Sequence, residues 1–286
     1  MTIEEKEKFL GYALILPSIL LVGIVIIYPL VFNAYLSFTE VPLNPAESPT
    51  WVGLSNYDSL LQSSQFWDSF KTTIIFTFFS DLFALLIGLA AGLLLRRQFR
   101  GRRFVRGLVL LPFITPVIAV TFTWQWMFEP VYGVFTMLYT TLTGASTAPD
   151  ILGQSDTAVW VVILYSSWRY YPFAFLMLIA RLQAIPGEMY EAAKIDGASR
   201  FSQFKDITFP EIKYILGTIF ILRWVWNFNT YADVWLVSSE VTTLPIFTYQ
   251  TAFSTFEQGM ASAISMILFV FLMIFVFVYV SVVIEW

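Results

Sequence analysis

The 286-residue chain contains no cysteine and no histidine. The first absence excludes disulfides and thiolate metal sites. The second removes the commonest general base and metal ligand. Charge is scarce as well: 13% of residues are Asp, Glu, Lys or Arg, and the net charge of −4 is too small to name a partner. A soluble globule carries about 25% charged residues. Nowhere does the sequence show the Gly-x-x-x-x-Gly-Lys-[Ser/Thr] phosphate loop, so no ATP hydrolysis is expected from this chain. Basic residues are missing from the stretches 37–69, 129–156 and 238–260, which instead hold acids such as Glu40, Asp58, Glu129, Asp156, Glu240 and Glu257.

What the chain has in quantity is apolar surface. Hydrophobic residues make up 58% of it, and the mean hydropathy is +0.72. A membrane-crossing helix needs about 20 mostly apolar residues. Six segments meet that length, at about 9–36, 70–95, 104–128, 157–182, 211–237 and 261–284. The first is too long for a cleaved signal peptide and reads as a retained anchor. Internal prolines (Pro17, Pro29, Pro112, Pro116, Pro172) are tolerable where neighbouring helices re-satisfy the freed carbonyls. Gly88, Gly92, Ala84 and Ala91 permit close helix approach. The expected fold is an all-α integral membrane protein, a single domain over 1–286.

The basic residues orient it. They cluster in the N-terminal tail (Lys6, Lys8), in "RRQFRGRR" after the second segment, and in a polar insert after the fourth (Lys194, Arg200, Lys205). The positive-inside rule places all three on the cytoplasmic side. Six spans then put both termini in the cytoplasm, with the chain ending at Trp286. The six arginines after the second segment, five in that run and Arg106 just beyond it, suit anionic head groups and call for no nucleic-acid partner.

The insert, "EMYEAAKIDGASRFSQFKDITFP" (Glu188–Pro210), is the most informative stretch. Pro186 suits the first turn of a helix. Glu188 and Glu191 complement its dipole. Gly197 fits a left-handed C-terminus. Ser199 can cap a second short helix on which Phe201, Phe204 and Ile207 would share a face. This predicts a helix–turn–helix over about 186–209.

"EAAKIDGA", followed by Phe204, Ile207 and Pro210, resembles the EAA motif of permease subunits of binding-protein-dependent ABC importers, in the carbohydrate-uptake branch related to the maltose transporter permeases. "WVGLSNY" (Trp51–Tyr57), "LPFITPVIAV" (Leu111–Val120), "FNTYADVWLV" (Phe228–Val237) and "AFSTFEQGMASAIS" (Ala252–Ser265) resemble other parts of that family. The exit "VSSEVTTLP" departs from it by lacking the double glycine and proline common in relatives. The resemblance implies a permease subunit in a prokaryotic cytoplasmic membrane, importing a sugar or polyol by alternating access. Implied partners are a second permease chain, two ATPase subunits that bind ATP and magnesium, and an extracytoplasmic binding protein. It further implies that the insert is a coupling helix seated in the ATPase, with Glu191 facing a basic group, Ala192 and Ala193 allowing close approach, and Asp196 and Gly197 at the turn. No metal or cofactor is expected in the chain itself.

Asp81, Arg169 and Arg223 lie near mid-depth of their segments, and mid-membrane charge is costly enough to mark a functional site by default. Either Asp81 pairs with one of the arginines structurally, or these charges act on a substrate. Arg169, Tyr170, Tyr171, Trp224, Asn227, Asn229 and Tyr231 form a candidate sugar path, because sugars are held by aromatic faces and planar hydrogen-bonding groups. Phe220, Trp224, Asn227, Tyr231 and Trp235 would share one helix face. An ion-coupled secondary transporter using the same charges is the alternative function.

Overall fold

The computed structural model describes residues 3–44 and 46–283. The expected sixth-segment end at Ile284 and the C-terminus at Trp286 lie outside them. By its internal packing the chain divides into two compact units, Met1–Phe66 with Phe247–Phe271 and Trp67–Ile246 with Leu272–Trp286.

The first unit begins with α1 (Ile3–Val22), a π turn at Gly23–Ile27, and α2 (Tyr28–Leu36). Pro29 explains the turn, because it has no N–H to donate one turn back and the ladder widens there. A two-residue strand β1 (Thr39–Glu40) pairs antiparallel with β2 (Thr50–Trp51), Thr39 opposite Trp51. From α3 (Ser55–Gln62), Asn56 Nδ2 donates to the carbonyls of Ser37 and Thr39, both at 3.0 Å. Phe38 stacks on Trp51 at 5.4 Å.

In the second unit α4 (Ser64–Leu95) runs beside α8. Next come α5 (Arg102–Ile114) and α6 (Val117–Met127), which meet at an 89° bend. A single third helix over 104–128 was expected. Thr115 is extended (φ −71°, ψ 138°) because the following Pro116 disfavours the helical conformation. Then follow α7 (Val134–Thr143), α8 (Ser155–Ala184), α9 (Gly187–Ile195) and α10 (Arg200–Gln203). α8 runs through Pro172 without a break. A second π turn, Phe204–Thr208, again precedes a proline, Pro210, at the start of α11 (Phe209–Phe228).

The fifth segment, expected as one helix over 211–237, stops at Phe228 and resumes as α12 (Ala232–Val237). Asn229 and Thr230 turn their side chains onto the Val225 and Trp226 carbonyls, at 2.8 and 3.0 Å. Such local bonds compete with the helix ladder. The chain continues through α13 (Leu244–Phe253) to α14 (Gln258–Val283).

Among the described residues, three helical stretches are long and apolar enough to cross a membrane: Leu10–Leu36, Ser64–Leu95 and Gln258–Val282. The bent α5–α6 pair makes a fourth if it is one span. α8 has the length, but Ser166, Ser167, Arg169 and three tyrosines dilute its apolarity. The architecture is that of a helical membrane protein.

Close approach of α4 to α8 rests on glycine. A Cβ at Gly88 would lie 2.6 Å from Ala174 Cβ and 2.9 Å from the Phe175 nitrogen; one at Gly92 would lie 3.1 Å from Leu182 Cδ1. Buried Phe76, Val161, Val162, Tyr165 and Val234 build one core cluster, and Leu178, Leu182, Ile185, Ile212 and Ile219 another.

Candidate functional site

Two constellations stand out, both in the second unit. The insert is a helix–turn–helix. Pro186 sits just before α9, with its ring-fixed φ at −59°. Gly197 has φ +79°. Around it the Ala198 N–H donates to Ala193 O at 2.8 Å and the Gly197 N–H to Lys194 O at 3.1 Å. This double closure is the Schellman arrangement, which needs a left-handed residue at that position. Ser199 Oγ accepts the Ser202 N–H at 3.1 Å and starts α10. Glu191, Ala192 and Asp196 are exposed, whereas Ala193 is half-buried. The expected shared face of Phe201, Phe204 and Ile207 does not form. The π turn shifts the register, leaving Phe201 75% exposed while Ile207 packs against the core cluster around Leu182.

The second constellation is a chain of buried charges and hydroxyls. Asp81 on α4 accepts from Asn227 Nδ2 at 2.6 Å and stands 3.5 Å from Arg223 Nε. Arg223 Nη2 also donates to Asn227 Oδ1, at 2.7 Å. Of the two arginines in question, it is Arg223 that stands beside Asp81. Arg169 pairs instead with Asp233, with its Nε 3.6 Å from Oδ1. Its Nη1 donates to the carbonyls of Thr115 (3.0 Å) and Pro112 (3.3 Å), the acceptors that the α5–α6 bend leaves free.

Asp233 was missed from the sequence, although it is the hub. It accepts the hydroxyls of Tyr165 at 2.8 Å and Tyr170 at 2.5 Å. The Tyr170 ring lies 4.1 Å under the Arg223 guanidinium, which links the two ion pairs by a cation–π contact. An acid inside the otherwise apolar "ADVWLV" was the available signal. Five helices thus contribute to one buried polar network: α4, α8, α11 and α12 through side chains and α5 through a carbonyl.

The remaining path residues are dispersed. Trp224 is buried and stacks on Phe275 at 4.3 Å. Tyr171 is half-buried, Asn229 is exposed and bonded to its own helix, and Tyr231 stacks on Trp235. The break after Phe228 takes Tyr231 and Trp235 off the face of Trp224, so the expected aromatic stripe is interrupted.

Residues 84–285 match the model of the binding-protein-dependent transport system inner membrane component. The chain belongs to this family. Among its relatives, the inner membrane ABC transporter permease protein YcjO of Escherichia coli is 38% identical over 90% of this chain and 88% of its own length. The trehalose/maltose transport system permease protein MalF of Thermococcus litoralis is 33% identical over 94% and 91%. A bacterial ABC transporter involved in the import of alginate shares the fold, with TM-score 0.83 over 96% of this chain and 95% of that one, at 20% identity. This permease is therefore a membrane transport component and not an enzyme, and the EAA sequence on α9 is at home in it.

Proposed function

We propose that the chain is the membrane-spanning permease subunit of an ABC-type importer in a prokaryotic cytoplasmic membrane, carrying a sugar or related polyol by alternating access. ATP and magnesium are bound by two separate ATPase subunits docked at α9. A second permease chain completes the pore and an extracytoplasmic binding protein delivers substrate. The observation that carries the reading is family membership together with relatives whose names specify trehalose, maltose and diacetylchitobiose uptake.

The form of the insert supports the docking role. Glu191, Ala192, Lys194 and Asp196 are exposed, and beside them Ile195 is 87% exposed. An apolar side chain so placed among charges suits a protein socket better than water. The expected span count of six and the inward placement of both termini belong to this proposal. The ion-coupled alternative is disfavoured because the buried acids Asp81 and Asp233 each stand beside an arginine, Arg223 and Arg169 respectively.

Uptake of labelled trehalose and maltose into proteoliposomes holding the complete complex tests the reading. Uptake is expected only with ATP and the ATPase subunits present. Uptake that persists without them would overturn it.

A further inference from the structure

If α9 is the docking element, force applied there must reach the buried helices through side chains. Most of α9 offers none. Glu188, Met189, Glu191, Ala192, Lys194 and Ile195 all point outward. Tyr190 and Ala193, one turn apart, face the protein, and alanine has no length with which to transmit anything.

Tyr190 makes three attachments. Its ring joins the core cluster built on Leu182, Ile185 and Ile212. The same ring lies 4.3 Å under the Arg96 guanidinium, and Arg96 Nη1 donates to its hydroxyl at 3.0 Å. That hydroxyl stands 2.9 Å from Thr208 Oγ1, and Thr208 donates onward to the Gln203 carbonyl at 3.4 Å. Arg96 directly follows α4, the helix that carries Asp81, and its N–H continues that helix's ladder to Gly92 O. Thr208 is buried in the π turn that leads into α11, which carries Arg223 and Asn227. One side chain thus grips the near ends of both helices whose far sections meet at the Asp81–Asn227–Arg223 cluster.

We propose that Tyr190 is a positioning residue that ties α9 to α4 and α11, so that displacement of the docking helix moves both together. This rests on the ABC-importer reading above. A cation held over a ring and bonded to its hydroxyl resists both sliding and tilting, because the two contacts have different directional demands. A purely apolar side chain would supply packing without the second constraint.

The test uses the full complex in proteoliposomes and reads substrate moved per ATP hydrolysed, a ratio that loss of folded protein alone leaves unchanged. Tyr190→Phe keeps the ring and loses the hydroxyl. Arg96→Gln loses the cation, and Arg96→Lys restores a charge over the ring. The expected result is that Tyr190→Phe and Arg96→Gln keep ATP hydrolysis but lower the ratio about tenfold, the scale of one charge-assisted hydrogen bond, with partial recovery in Arg96→Lys. A wild-type ratio in both Tyr190→Phe and Arg96→Gln would overturn the proposal while leaving the importer reading intact. Absence of ATP-coupled uptake in the wild-type complex would instead sink the importer reading.

Discussion

Replacing Asp233 with alanine removes the acceptor for two tyrosine hydroxyls and the counter-ion of Arg169. Each hydrogen bond to a carboxylate contributes about 1.5–3 kcal/mol in a protein interior, though interhelical bonds in membranes average nearer about 0.6 kcal/mol. Breaking a buried ion pair from one side costs about 3–5 kcal/mol. Here Arg169 keeps the Pro112 and Thr115 carbonyls, so its charge is not left bare. The low end of that range is the expectation, about 3 kcal/mol for Asp233→Ala. Arg169→Met strands those carbonyls and leaves Asp233 with neutral donors, for a similar cost of about 3 kcal/mol. With both changes neither charge remains unpaired, and the double variant is expected to lose only about 4 kcal/mol, a coupling of about 2 kcal/mol. Reversible unfolding in mixed micelles, titrated with SDS and followed by far-UV circular dichroism, measures all four proteins. Additivity of the single changes to within about 0.5 kcal/mol would refute the pairing.

Gly88→Leu forces a side chain where even a Cβ meets Ala174 and Phe175; a loss of about 1–3 kcal/mol or more is expected from overpacking, read as a lower unfolding temperature in detergent. Gly197→Val places a β-branched residue at φ +79°, which costs about 1–2 kcal/mol locally; together with Glu191→Lys it is expected to spare ATP hydrolysis and cut uptake, and normal uptake in both would remove the docking role from α9.

How much was legible in the sequence follows from how local each feature is. The α9 turn was readable because proline, glycine and serine act within a few residues of themselves, and Gly197 and Ser199 take the predicted places. Asp81 and Arg223 were visible as charges in apolar runs. Asp233 was not, because its burial depends on the α11 break, and that break depends on Asn229 and Thr230 turning onto their own helix. Pro116 was seen, but its 89° bend was not. A proline announces a missing donor, whereas the direction taken depends on what receives the stranded carbonyls, here Arg169 from a helix far away in sequence. The short helices α3, α7 and α13 went unread for another reason: with 8, 10 and 10 residues they fall well below the about 20 apolar residues by which spans are recognised. Phe201 left its expected face because a π turn adds a residue that a 3.6-residue period does not foresee.

From Leu10 to Tyr35 large apolar side chains stand exposed along α1 and α2, and the membrane-length stretch there has none of its residues buried within the chain. Exposing one such side chain to water costs about 1.5–3 kcal/mol. Ten of them already exceed the net stability of an ordinary domain, about 5–15 kcal/mol. The apolar surroundings are thus a component of the native state in the thermodynamic sense, on a par with a bound cofactor in other proteins. Stability quoted for this chain has meaning only with its amphiphile named, and exchanging one detergent for another is for α1 a change of ligand.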